Sequence, residues 1–139
     1  MGKKIAIIRG DGIGPEVMNA SIRLLGELDL NLEFVECEAG YETWKNRHVA
    51  LSEDTLDQMQ HTDACLKGPT QTIPGPNSFA SVIVALRQRF GLFANLRPIK
   101  SRKGVPALYS DVDCMLIREN TEGLYSGLEA KLDDLSFAL

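Results

Sequence analysis

Short apolar runs alternate with amphipathic stretches along the chain, and the first of these units sets the pattern. "KKIAIIRG" passes through the turn Gly10-Asp11-Gly12-Ile13-Gly14 into a stretch opened by Pro15. A continuous apolar run is what a strand covered on both faces requires. Proline suits the first helical position, since its missing N–H would be unpaired there. "PEVMNASIRLLGELD" then carries Met18, Ile22 and Leu25 at helical spacing. "LEFVECEAG" reads as a strand, "LSEDTLDQMQ" as a helix capped by Ser52, and "DACLKGP" as a short buried strand. After the loop "TIPGPNSFA", "FASVIVALRQRF" is a helix with Phe79, Val82, Leu86 and Phe90 in one stripe. "LFANLRPI" and "VDCMLIREN" are strands joined by the basic, exposed "KSRKGVPALYSD", and "TEGLYSGLEA" turns after them. The order β-α-β-α-β-α-β predicts an α/β fold: a largely parallel sheet with helices on both faces. Ligands in such sheets gather beyond the carboxyl ends of strands.

The glycine turn is not a Rossmann fingerprint. That motif needs a third glycine for close helix–strand packing, where this chain has Pro15. Asp11 and Glu16 place negative charge at the mouth of the helix that follows. Such charge suits the helix dipole and discourages a bare phosphate. The turn therefore serves geometry, or a ligand's sugar or ring.

The 139 residues, 44% hydrophobic and 24% charged, allow a real core, and the net charge of −4 leaves no electrostatic footprint for nucleic acid. No run approaches a membrane span, and the start is too short and strand-like for a signal peptide, so neither a nucleic-acid nor a membrane partner is expected. Cys37, Cys65 and Cys114 lack zinc spacing and read as small buried thiols in a reducing, cytoplasmic setting. His48 and His61 read as surface residues.

Three arginines stand out. Arg87 lies on the last helix, Arg97 ends the strand "NLRP", and Arg118 ends "LIREN". An isolated arginine is usually a solvated surface group. Three meeting at one strand-end crevice would form a set of bidentate forks for a small di- or tricarboxylic acid.

"GDGIGPEV", "LKGPTQT", "VALRQRFGLFANLRPIK" and "IRENTEGLYSG", in this order, resemble the isocitrate/isopropylmalate dehydrogenase family. "KGPTQT", "ANLRP" and "RENTEGLY" lean toward its isocitrate branch, that of the tricarboxylic acid cycle, with homoisocitrate a near neighbour. The resemblance implies a non-Rossmann α/β fold and oxidation of a 2-hydroxy acid by NAD or NADP with Mg²⁺ or Mn²⁺, followed by decarboxylation. It implies that Arg87, Arg97 and Arg118 grip substrate carboxylates and that Ser81 hydrogen-bonds one of them. Thr72 and Lys67 would sit beside the nicotinamide, and Ile13 in "GDGIGPE" would line the same cleft. Tyr125 would protonate the enolate left when carbon dioxide departs, a task a positioned phenol can perform.

Two departures matter. Where the isocitrate enzymes place asparagine on the helix after Ser81, this chain has Ile83, four residues before Arg87 and hence on the same helical face. Ile83 has no side-chain hydrogen-bonding group. An apolar wall there suits a substrate with an alkyl group, or no substrate at all. The family's chains also run to several hundred residues. The resemblance thus implies a truncated chain, with 1–99 as the first part of the large domain and 100–139 as the start of the small one. The metal ligands are expected outside it, and the chain alone is expected to be inactive. A homo-oligomer or a complementary chain would cover the open sheet edge. The alternative is a non-catalytic, carboxylate-binding or regulatory module.

Overall fold

The computed structural model describes residues 2–75, 78–127, 129–132 and 135–138. Pro76 and Asn77 of the loop "TIPGPNSFA" and the acidic pair Asp133 and Asp134 lie outside the described residues. The chain divides into two compact units, Met1–Ile83 and Val84–Leu139.

In the first unit β1 (Lys3–Ile8) lies between β2 (Leu32–Cys37) and β3 (Ala64–Lys67), and both pairings are parallel. Ile5 registers with Phe34 on one side and Ala64 on the other; Ile8 registers with Cys37 and Lys67. The central place explains the unbroken apolar run. Ala6, Ile7 and Ile8 are fully buried, and each isoleucine contributes about 1.5–3 kcal/mol through burial. At the carboxyl end of β1 the Arg9 guanidinium forks onto the Glu36 carboxylate, with Nε–H donating at 3.0 Å. α1 (Gly14–Gly26) starts with proline in its first turn, as expected, and buries Met18. α3 (Glu53–Gln60) is capped by Ser52, whose hydroxyl accepts the Thr55 N–H at 3.2 Å, and it buries Leu56 and Met59. Both follow from the local sequence. Between them lies α2 (Tyr41–Arg47), a helix that the apolar periodicity does not announce.

α4 (Val82–Arg89) buries Val82 and Leu86 of the expected stripe. The next two strands depart from the parallel expectation. β4 (Ala94–Lys100) and β5 (Asp113–Glu119) form an antiparallel ribbon. Their connection contains no helix, and a parallel return usually needs one. A 3₁₀ turn, Gly123–Tyr125, follows, and β6 (Glu129–Leu132) pairs antiparallel with β7 (Leu135–Ala138). The parallel sheet is therefore confined to the first three strands.

The cysteines divide. Cys37 is buried as expected, whereas Cys65 and Cys114 are exposed. Cys65 lies on an edge strand with a neighbour on one side only, and Cys114 on the two-stranded ribbon. Surrounding protein atoms nonetheless desolvate the Cys65 sulfur. Together with Cys37 on the far side of β1 they push its thiol up to about 11, which outweighs the opposing charge of Lys67. Both histidines are exposed, as the sequence suggests.

Candidate functional site

In the sheet order β2-β1-β3 the chain leaves β1 toward one side and later returns on the other. The loops after β1 and β3 therefore flank a switch point, where open α/β sheets bind ligands. Here these loops touch. The Asp11 N–H donates to the Pro69 carbonyl at 2.7 Å. Gly10 has φ +75°, and a Cβ there would stand 2.0 Å from the same carbonyl oxygen, so the contact requires glycine.

Asp11 itself does not serve the helix expected of it. α1 has Ile13 at its N-cap and no side-chain cap. The Asp11 carboxylate turns instead to three backbone donors: Tyr41 N–H at 2.9 Å, Glu42 N–H at 3.1 Å and Gln71 N–H at 2.7 Å. Charge-assisted bonds of this kind are the stronger class. They hold the start of α2 and the loop after β3 to the glycine turn. Neither the motif nor the resemblance picked out Asp11 for this role. Its only sequence signal was a carboxylate inside a glycine turn.

The residues expected at a cofactor occupy this rim. Ile13 is 63% exposed on the turn. Lys67 closes β3 half-buried, its ammonium donating to the Gly68 carbonyl at 2.8 Å, and Thr72 follows one residue after Gln71, exposed. Ser81 is half-buried immediately before α4. A concavity of about 440 Å³ bounded by Gly2, Lys3, Lys4, Glu33 and Asp63 lies at the opposite, amino-terminal ends of the strands. Its charges pair with one another, Lys3 with Asp63 at 2.5 Å and Lys4 with Glu33 at 3.7 Å, so it offers no unspent chemistry.

In the second unit, Arg97 registers with Leu116 and Arg118 with Asn95. Cross-strand partners share a face, and so do residues two apart on one strand. Arg97 and Arg118 are thus diagonal neighbours on one face of the ribbon. Arg97 lies in mid-strand, not at the strand end expected, because β4 continues through Pro98 to Lys100. The Arg118 guanidinium sits over the Tyr125 ring at 5.2 Å from its centroid, and its Nη2–H donates to the phenol oxygen. The Gln88 amide of α4 donates to the Tyr125 carbonyl at 3.4 Å, and Arg87 precedes Gln88, half-buried. The Glu119 carboxylate accepts from the Thr121 hydroxyl at 2.5 Å and from the Thr121 and Glu122 N–H groups at 2.8 Å each, fixing the turn before Tyr125. The Thr121 hydroxyl first, then these N–H groups, hold the Glu119 carboxyl below the usual carboxylate range.

Among the described residues no group of three or more histidine, cysteine, aspartate or glutamate side chains is placed to hold a metal ion. No described helix is long and apolar enough to cross a membrane.

The family model described as isocitrate/isopropylmalate dehydrogenase matches residues 4–137. A 3-isopropylmalate dehydrogenase of Methanothermobacter thermautotrophicus is 51% identical over 91% of this chain and 37% of its own length. An isocitrate/homoisocitrate dehydrogenase of Thermus thermophilus is 44% identical over 99% of this chain and 41% of its own. The crystal structure of isocitrate dehydrogenase from Methylococcus capsulatus superposes with a TM-score of 0.84 at 36% identity, over 100% of this chain and 42% of that one. The chain thus spans about two fifths of the length of these relatives.

Proposed function

Because the chain belongs to the isocitrate/isopropylmalate dehydrogenase family, we propose that it carries the substrate grip of an oxidative decarboxylase acting on a C3-substituted malate. The observation that carries this reading is the Arg118–Tyr125 pair on a ribbon whose same face presents Arg97. A phenol held against a carboxylate-binding cation is the pairing such a reaction needs.

In this reading, residues 1–99 begin the large domain and 100–139 the small one. Arg87, Arg97 and Arg118 take the two carboxylates, and Ser81 donates a hydrogen bond to one of them. A bound nicotinamide, NAD or NADP, would supply the hydride acceptor, with Ile13, Lys67 and Thr72 along its edge. Oxidation at C2 leaves a 2-oxo acid with a carboxylate one carbon beyond the carbonyl. When that carboxylate leaves as carbon dioxide, its bonding pair stays on C3 and gives an enolate. Tyr125 donates its phenolic proton to C3. Arg118 offsets the negative charge that the phenol oxygen takes on. The described residues offer a divalent cation no ligand set.

Ile83 favours an alkyl substituent at C3. It lies four residues before Arg87 on α4, where it would present methyl groups beside the carboxylate fork. The isopropylmalate dehydrogenase named above, at 51% identity, supports the same choice. Isocitrate is the second reading, favoured by "RENTEGLY" and by the isocitrate/homoisocitrate relative.

Calorimetric titration of the 139-residue chain with 3-isopropylmalate and with isocitrate tests this. Binding of either acid that weakens on Arg97→Ala and on Arg118→Ala, by about tenfold or more each, is the expected result. No binding at millimolar concentration, or binding indifferent to both substitutions, overturns the grip. A preference for isocitrate reverses the choice between substrates.

A further inference from the structure

Asp11 is 7% exposed, and all its described side-chain hydrogen-bond partners are backbone N–H groups. They come from two segments, each at the carboxyl end of a different strand of the sheet. Tyr41 and Glu42 open α2 after β2, and Gln71 stands in the loop after β3. The approach is close. A Cβ at Gly40 would stand 2.6 Å from Oδ2, so the backbone before α2 is pressed against the carboxylate. The turn around Asp11 closes without the side chain, through the Gly14 N–H donating to the Asp11 carbonyl at 2.9 Å. The α1 N-cap does not use it either. The carboxylate is therefore spent on neighbouring loops and not on its own turn. α2 braces the same region further along, with the Trp44 ring packed on Phe79 at 5.5 Å between centroids.

We infer that Asp11 is a positioning residue: its carboxylate fixes Gln71, and hence Thr72, relative to the glycine turn that carries Ile13. The inference rests on the proposed reading in that Thr72 and Ile13 are the residues said to meet the cofactor. Asparagine cannot substitute fully. Oδ2 accepts two of the three bonds and Oδ1 the third, and an amide nitrogen in either place would face an N–H with another N–H.

The test is amide exchange and resonance mapping on the 139-residue chain, with a parallel NAD⁺ titration. In the wild-type chain the Gln71 amide exchanges at least about tenfold more slowly than an unstructured reference. Asp11→Ala removes both oxygens, abolishes that protection and shifts Gln71 and Thr72, while the amides of Ala6, Ile7 and Ile8 stay protected. Asp11→Glu retains the charge on a side chain one methylene longer. It displaces the Gln71 resonance with the fold intact, and so serves if the alanine variant fails to fold. NAD⁺ shifts Ile13 and Thr72 in the wild type, and Asp11→Ala weakens that response about tenfold or more. Thr72→Val weakens it too but leaves Gln71 protected.

Unprotected Gln71 in the wild type, or protection that survives Asp11→Ala, overturns the positioning role whatever NAD⁺ does. If Gln71 depends on Asp11 while no variant alters the NAD⁺ response, the positioning stands and the cofactor reading of Thr72 falls.

Discussion

The Arg118 guanidinium lies over the face of the Tyr125 ring, 5.2 Å from its centroid, and donates a hydrogen bond to the phenol oxygen. One side chain thus holds the ring in place by a cation–π contact and orients the hydroxyl. The phenol oxygen accepts from Arg118, so its own O–H is left to donate elsewhere. Tyr125→Phe keeps the ring under the cation and removes only the proton. On the proposed reading, in an enzyme that joins this segment to the metal-binding remainder expected outside it, an assay that separates oxidation from decarboxylation shows the decarboxylation and protonation half slowed by about 10²–10⁴-fold. Calorimetric affinity for the dicarboxylate changes little. An equal loss in both would mean that Tyr125 works through the grip.

Ile83 and Arg87 occupy positions one helical turn apart on α4. Ile83→Asn adds hydrogen-bonding groups where the chain has methyls. The ratio of affinities for 3-isopropylmalate and isocitrate should swing toward isocitrate by about 10–200-fold, the range one apolar contact contributes to discrimination. An unchanged ratio would show that the C3 substituent lies elsewhere.

Gly10 and Gly12 both have positive φ, +75° and +59°, but their surroundings differ. A Cβ at Gly10 meets the Pro69 carbonyl, whereas at Gly12 nothing lies within 4 Å. Gly10→Ala should destabilise by clearly more than about 1 kcal/mol, since backbone strain and clash add. Gly12→Asn should cost less, because asparagine tolerates the left-handed region. Urea unfolding of both variants decides; equal losses would mean that the strand-end contact carries no weight.

The Glu119 carboxyl is held below the ordinary value of 4.5, chiefly by the Thr121 hydroxyl and then by the Glu122 N–H. A depressed folded value means that the ionised form favours the native turn. Its contribution is full above about pH 4.5 and is lost as pH falls through the lowered value. The amide resonances of Thr121 and Glu122 should follow that acid limb, and Glu119→Gln should remove it. A limb centred at or above 4.5 contradicts the hydrogen-bonded turn.

Several elements were legible because their causes are local. Ser52 caps α3 through its own hydroxyl three residues on, and Val82 and Leu86 bury one face of α4 at helical spacing. The unbroken run of β1 required cover on both faces, and Ala6, Ile7 and Ile8 are buried in succession. Cys65 was misread as buried because a short apolar run looks the same in a central strand and at a sheet edge. The antiparallel pairing of β4 and β5 was not legible, because strand direction is written in the connection and the partner, not in the strand.

The sequence alone determined the first five strands, three of the four described α-helices and the family motifs, since each rests on neighbours within a few residues; it read a turn and a polar tail where β6 and β7 pair, and Gly10 is required by the distant Pro69 carbonyl. Tertiary structure decided the rest. α2 has no apolar stripe and no side-chain cap of its own; its first N–H groups are met by Asp11, thirty residues upstream. The shared face of Arg97 and Arg118 exists only once the antiparallel register is set. Bonds made across the fold, by groups distant in the chain, leave no local period or spacing from which they could be read.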